Sequence, residues 1–380
     1  MLKVKLAAVC AFGLEAVVKR ELLHMGYEDL RVDNGWIYFD GTLEDIVKTN
    51  INLRSAERIL LVMGEFEAYT FTELHDHTFD LPWGDWITRD GKFTVNGKSL
   101  KSKLSSVPDC QSIVKKAIVN KLKEEYDQEW FSEKGAEFTV QVSLNKNKAV
   151  LTIDTTGSRE GLFKRGYRKN AVEAPLKETM AAAMIQLSFW DKDRILYDPM
   201  CGSGTIAIEA ALIGTNTAPG LYRTFAAEGW PIIPEDMWQD IRDHYESLVD
   251  EDVELQIYAS DINSEAVKAA RKNAARAGME DHIKFECLDV KDVVLPGKYG
   301  VMITNPPYGD RIGDKETVER VSEDLGRIFG RDKTWSNYII TPFERFEKLY
   351  GAKASRKRKL FNGNVKVNYY QYYGERKPRD

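Results

Sequence analysis

The tetrapeptide Asn305-Pro306-Pro307-Tyr308 combines residue types that can hold an exocyclic base amine for attack on an electrophilic methyl group. The two hydrogens of the amine need acceptors, so that the nitrogen lone pair points along the bond being formed. The side-chain oxygen of Asn305 and the carbonyl of Pro306 are two such acceptors. Consecutive prolines stiffen the turn and bring no competing N–H, and Tyr308 offers a ring face to the base. No general base is needed before attack, because the amine becomes acidic as it gains the methyl group. Rate then comes from in-line positioning and from dipoles aimed at the developing positive charge. A base within a duplex has to be swung out to reach such a corner.

A second segment, Asp198-Pro199-Met200-Cys201-Gly202-Ser203-Gly204-Thr205, is entered by the apolar run Ile195-Leu196-Tyr197 and left by a helix-compatible run over residues 205–212. This reads as a strand, a glycine turn and a helix. Gly202 and Gly204 permit positive φ and let backbone N–H groups come close to a ligand, where a Cβ would obstruct. Asp198, Met200, Cys201, Gly202, Gly204 and Thr205 are therefore the expected cofactor turn.

The elements that must position these two corners follow from periodicity. Strands are expected over residues 195–197, 255–259, 283–286, 301–304 and 336–341, with helices over 205–212, 264–277 and 318–329. A further helix is expected from residue 174 to 189, with Pro175 in its first turn. Such alternation predicts a parallel sheet covered on both faces. Two last strands, 357–361 and 365–373, flank Asn362-Gly363-Asn364 and read as a hairpin. Ligands of open α/β sheets lie beyond the carboxyl ends of the strands, and four polar residues fall at such ends: Asp198, Asp261, Asp289 and Asn305. Asp261 can accept from both hydroxyls of a ribose, or cap the helix that follows. Asp289 can receive an adenine amino group, with Ile262 and Val290 on either side of the ring. A nicotinamide cofactor fits poorly: the acid lies 57 residues past Gly204 rather than about 20, and there is no third spaced glycine. Residues 214–254 look like an insertion.

Ahead of this domain, residues 1–53 read as a small α+β unit, with strands at 4–9, 30–32 and 36–39, a turn at Asn34-Gly35 and a helix capped by Thr42. Residues 54–157 read as a second unit, with strands at 58–63, 93–95, 138–142 and 149–153, a helical stretch over 72–86 interrupted by Pro82, and a helix at 111–126. Its order, together with Lys98, Lys101 and Lys103, resembles a THUMP domain, an RNA-binding module. Residues 161–169 then combine Lys164, Arg165, Arg168 and Lys169 with Phe163 and Tyr167. Arginine forks suit phosphates and aromatic faces suit unpaired bases, so Lys164, Arg165, Tyr167 and Arg168 are RNA-binding candidates.

Taken together, Asn305-Pro306-Pro307-Tyr308-Gly309-Asp310-Arg311, the glycine turn, and Arg165-Gly166-Tyr167-Arg168 before Ala174-Pro175-Leu176-Lys177-Glu178 resemble the THUMP-containing 23S rRNA guanine-N2 methyltransferases. The resemblance covers essentially the whole chain. It implies an α/β fold in which a class I, Rossmann-like methyltransferase domain with a terminal antiparallel hairpin (158–380) follows ferredoxin-like (1–53) and THUMP (54–157) units. It also implies S-adenosylmethionine (AdoMet) as methyl donor, guanine N2 of ribosomal RNA as acceptor, and Arg311 beside the RNA. Related THUMP enzymes act on tRNA, and the four-residue corner is shared with N6-adenine DNA methyltransferases. A non-catalytic RNA-binding ribosome-assembly factor is the alternative of a different class.

Composition sets the outer bounds. With 380 residues, 43% hydrophobic and 30% charged, the chain suits two or three globular domains. A net charge of -5 gives no bulk attraction to nucleic acid, so RNA binding must rest on local patches. Cys10, Cys110, Cys201 and Cys287 are too scattered for a disulfide framework or zinc ribbon, and His75-Asp76-His77 reads as exposed helix polarity, so no metal is expected. No apolar run approaches the ~18 to 20 residues of a membrane span, and the amino terminus is too brief for a signal peptide. A cytoplasmic protein with no membrane partner is expected.

Overall fold

Alternating apolar residues at the amino terminus build a sheet that runs through the whole first half of the chain. A computed structural model describes residues 2–157, 160–169, 176–308, 314–363 and 365–376. The first elements are β1 (Lys3–Val9), α1 (Glu15–His24), β2 (Arg31–Asp33), β3 (Trp36–Thr42) and α2 (Leu43–Asn52). They are followed by β4 (Arg58–Glu67), α3 (Phe71–Phe79), β5 (Lys92–Leu100), α4 (Val107–Tyr126), β6 (Glu137–Asn145) and β7 (Lys148–Asp154). All seven strands join one sheet in the order β2-β3-β1-β4-β7-β6-β5, so β1 and β4 fuse the two expected units edge to edge. Strand alternation sends Leu6, Ile37, Phe39, Ile59 and Leu61 into the core shared with the helices, and Ala7, Trp36, Tyr38, Leu60 and Val62 to the opposite face. The sheet curls strongly: Lys98 on β5 lies 5.0 Å from the Trp36 ring on β3, although four strands separate them.

The second half contains α5 (Glu178–Gln186), β8 (Leu196–Asp198), α6 (Thr205–Gly214), α7 (Glu235–Glu246), β9 (Ile257–Asp261), α8 (Ser264–Arg276) and β10 (Ile283–Cys287). It continues with β11 (Val301–Thr304), α9 (Asp314–Ile328), β12 (Ser336–Thr341), α10 (Phe346–Tyr350), β13 (Arg356–Asn362) and β14 (Val365–Tyr372). The sheet order is β10-β9-β8-β11-β12-β14-β13. The first five strands are parallel, and β14 is antiparallel to both β12 and β13. Several helix ends differ from expectation: α3 stops at Phe79 rather than 86, α9 starts at Asp314 rather than 318, and α5 starts at Glu178, the expected start at 174 with Pro175 lying outside the described residues. α4 starts at Val107, with a proline in its first turn. α5 stops at Gln186 because the Ser188 hydroxyl donates to Ile185 O (2.7 Å) and competes with the helical ladder.

The inserted stretch proves to be a clamp between the halves. The Trp230 ring packs on Phe138, with centroids 5.1 Å apart, and edge-on to Trp86 at 6.3 Å. Its Nε1 donates to Glu137 O at 3.3 Å. The N–H groups of Ala226 and Ala227 donate to Thr156 O and Thr155 O, at 3.1 and 3.0 Å. Gly220 donates to Ile51 O (2.8 Å) where a Cβ would come within 2.7 Å of Ile51 Cα, so only glycine allows this approach. Among the described residues, no helix is long and apolar enough to cross a membrane.

Candidate active site

The site is built at the carboxyl ends of three neighbouring strands. β8 ends in Asp198, and β11 pairs with it in parallel, Met302 opposite Tyr197. Thr304, the last residue of β11, therefore reaches Asp198: its hydroxyl donates to the carboxylate at 2.9 Å. The glycine turn leaves immediately after Asp198 and the Asn-Pro-Pro-Tyr corner immediately after Thr304, so the two corners emerge side by side. On the other flank β9 ends in Asp261, whose carboxylate accepts from Gly202 N–H and Asn263 N–H, both at 2.9 Å. Cys201 N–H donates to Ser260 O at 2.9 Å. The α8 cap falls to Asn263, which accepts from Glu265 N–H (2.9 Å) and Ala266 N–H (3.4 Å), and Asp261 instead holds the turn.

The two glycines have different tasks. Gly202 has φ +52 and nothing within 4 Å of where a Cβ would sit, so its Cα faces open space. Gly204 has φ +85 and packs on α8, where a Cβ would lie 3.0 Å from that of Ala270. In the other corner Pro306 is buried, Pro307 exposed and Tyr308 half-buried, and the Tyr308 hydroxyl accepts from Asn362 Nδ2 at 3.3 Å. The Asn305 side-chain oxygen is buried and has no hydrogen-bond partner among the described residues. An orphaned buried acceptor costs about 1 to 3 kcal/mol; others lie in the core, Asn337 among them, and Asn305 differs from these in its place directly after β11, beside the glycine turn. Open space at Gly202 and an acceptor without a donor at Asn305 fit a bound nucleoside cofactor and a base amine.

Asp289 follows β10. It accepts from Lys291 N–H at 3.2 Å and lies 3.5 Å from Lys291 Nζ and 3.6 Å from the Arg320 guanidinium. Ile262 stands exposed beyond β9, and Val290 turns into the core with Tyr197 and Met302. Met200 is half-buried, Thr205 buried, and burial pushes the Cys201 thiol up, so it is no thiolate.

Burial raises the Asp198 carboxyl to about 7 against its ordinary 3.8, opposed by the Thr304 and Met200 hydrogen bonds and reinforced by Asp261. The folded state thus favours the protonated form, and this contribution is complete below the ordinary value and lost as pH rises through about 7. Asp198→Asn keeps the acceptor without the charge. Its unfolding free energy relative to wild type is expected to rise by on the order of 2 to 4 kcal/mol between about pH 4 and pH 8. Parallel thermal melts check this; a difference that does not change with pH would refute it.

The expected RNA contacts divide. Lys101, Lys103 and Lys164 are exposed, with Lys103 Nζ 5.2 Å from the Tyr69 ring. Lys98 borders a pocket of about 680 Å³ on the curled sheet, shared with Trp36, Tyr38, Asn145 and Lys148. Arg165, Tyr167 and Arg168 do not face solvent, which corrects their reading as RNA contacts. Arg165 forks onto the buried Glu209 (3.4 Å to each oxygen) and donates to Leu162 O and Arg54 O. The Tyr167 hydroxyl donates to Glu209 at 3.1 Å, and Arg168 pairs with Glu178 at 2.6 Å. Arg311 lies outside the described residues. Sequence reading missed Glu209 and Thr304. The signal for Glu209 was a lone acid in the apolar run Ile206-Ala207-Ile208-Glu209-Ala210-Ala211-Leu212; for Thr304, its place at a strand end beside Asp198. Among the described residues no group of His, Cys, Asp and Glu could hold a metal ion.

This strand order, with a glycine turn after the first strand and an antiparallel strand inserted next to β12, defines a class I methyltransferase, whose cofactor is AdoMet. A family model for the RMKL-like methyltransferase domain matches residues 165–371, one for the RlmL ferredoxin-like domain residues 5–60, and one for the THUMP domain residues 68–154. The chain belongs to the RMKL-like methyltransferase family. YpsC of Bacillus subtilis (strain 168), provisionally named an RNA methyltransferase, is 48% identical over 100% of this chain and 98% of its own length. The ribosomal RNA large subunit methyltransferase K/L of Psychromonas ingrahamii is 34% identical over 93% of this chain, which spans only 48% of that enzyme. The crystal structure of SMU.472 in complex with SAH superposes with a TM-score of 0.93 at 44% identity, covering 100% of both chains.

Proposed function

We propose that this chain transfers a methyl group from AdoMet to the exocyclic N2 of a guanine in large-subunit ribosomal RNA. The observation that carries the reading is the orphaned Asn305 oxygen, one strand away from the open flank of Gly202. AdoMet supplies an electrophilic methyl on a cationic sulfur. Asn305 and the Pro306 carbonyl accept the amine hydrogens and aim the nitrogen lone pair, and Tyr308 supports the base. Asp261 has lone pairs left for ribose hydroxyls after its two backbone bonds, Asp289 receives the adenine amino group, and Ile262 covers the ring. The Asp261 carboxylate gives the turn a negative charge that favours a cationic ligand. Residues 1–157 deliver RNA through Lys98, Lys101 and Lys103, with Lys164 at the junction, and 158–380 carry the chemistry. The ribosomal substrate is favoured by the K/L relative; guanine is favoured by the family resemblance, since the corner would grip an adenine amine equally.

Tritiated AdoMet offered with 23S rRNA, tRNA and duplex DNA, followed by digestion to nucleosides, tests this. Label is expected in N2-methylguanosine from the ribosomal RNA. Label confined to N6-methyladenine in DNA would overturn the assignment.

A further inference from the structure

The strand β13 forms the outer edge of the catalytic sheet, and its sequence Arg356-Lys357-Arg358-Lys359-Leu360-Phe361-Asn362 places four cations before an aromatic residue. Its turn end lies beside the active site: Asn368 of β14 pairs with Thr341, the carboxyl end of β12, and Asn362 donates to the Tyr308 hydroxyl. The amino-terminal half closes on this hairpin from outside. Gly13, in the loop between β1 and α1, comes so near that a Cβ would sit 2.9 Å from Lys359 O. Next to it, the Phe12 ring stands edge-on to Phe361, with centroids 5.9 Å apart and planes at 75°. Phe12 is 56% exposed. Its loop is nonetheless pinned, since Glu15 accepts from Gly13 N–H (2.8 Å) and Gly35 N–H (3.0 Å). Lys359 and Lys366 are exposed, and Phe361 pairs with Lys366 across the hairpin. Lysines on an edge strand guard against strand addition; that accounts for the cations and leaves the aromatic pair unexplained.

We propose that Phe12 and Phe361 form a stacking platform for an unpaired nucleotide flanking the target base, with Lys359 and Lys366 taking its phosphates. The amino-terminal half then supplies one wall of the substrate rim itself. This rests on the RNA reading above. Bases stack on aromatic faces irrespective of sequence, so the platform fixes the strand entering the corner without choosing its neighbour.

Steady-state methylation of a 23S rRNA transcript by the full-length chain tests both readings separately. Phe12→Ala is expected to raise KM for RNA about tenfold, the loss of one base stack, with AdoMet affinity and melting temperature unchanged. Phe12→Trp restores KM, and Phe12→Leu, which keeps the apolar contact and loses the ring face, resembles the alanine variant. Lys359→Ala with Lys366→Ala flattens the slope of log KM against log salt by about 1 to 2. If wild type methylates the transcript and Phe12→Leu matches it, the platform is only packing and the inference falls alone. If wild type leaves every RNA unmodified, the RNA reading falls and takes the inference with it.

Discussion

Replacing Asn305 with alanine is expected to lower kcat about 10² to 10³-fold, the usual cost of removing one group that stabilises charge developing in a transition state. KM for RNA and affinity for AdoMet should stay within a few-fold, because the base is still stacked and the glycine turn is untouched. The reason lies in the unpaired oxygen. It has no donor among the described residues; Asn337 in the core also carries an unpaired oxygen, and what sets Asn305 apart is its place directly after β11, beside the glycine turn, where the proposed substrate amine can meet it. Stability therefore separates the two roles. Losing a satisfied buried amide lowers the melting temperature, whereas removing an orphaned acceptor relieves about 1 to 3 kcal/mol of desolvation, which offsets the small cavity left behind. Single-turnover methyl transfer and thermal melts on the same preparation decide the matter. Wild-type turnover, or a marked drop in melting temperature with turnover loss in proportion, would remove Asn305 from the catalytic role.

The catalytic sheet was legible because its signals are local. A glycine turn ending a short apolar strand, an Asn-Gly turn between two last strands and the rule that ligands gather at carboxyl ends predict a layout in which Asp198 and Asn305 are neighbours, and Thr304 joins them. What was not legible depends on partners distant in sequence. A run such as Lys164-Arg165-Gly166-Tyr167-Arg168 has the composition of a nucleic-acid contact, and nothing in it reveals Glu209 waiting on α6 to accept both Arg165 and Tyr167. Asp261 and Asn263 are both competent caps, and only the position of Gly202 N–H decides that Asp261 turns toward the glycine turn. The 214–254 stretch does carry a helical period, Trp238-Ile241-Tyr245 on α7, but nothing local shows that its Trp230 fills a space bounded by Phe138 and Trp86 of the other half. That packing changes how the RNA-delivery role can be tested. Cutting the chain near residue 160 would strip the cover from Trp230 and leave Arg54, Glu57 and Ile51 contacts unmade, so single exposed residues such as Phe12 are the cleaner probe.

Arg165→Ala is expected to cost about 3 to 5 kcal/mol of unfolding free energy, the usual consequence of leaving one partner of a buried pair without its counter-charge. The side chains of Arg165 and Glu209 are 3% and 0% exposed, so water cannot take over the role of the lost guanidinium. The effect should not remain local. Arg165 also donates to Arg54 O in the amino-terminal half, and Glu209 sits one helical turn beyond Thr205, where α6 leaves the glycine turn. Weakened AdoMet affinity should accompany the lower stability. Arg165→Met with Glu209→Leu distinguishes an ion pair needed for stability from one needed for alignment. Replacing both charges by apolar groups removes the desolvation cost together with the attraction, so the double variant should recover most of the stability lost in either single one. If the single Arg165→Ala variant melts within about 1 kcal/mol of wild type in chemical denaturation, the pair is not the bolt between the halves that its burial and bonding indicate, and the inward turn of the basic linker needs another cause.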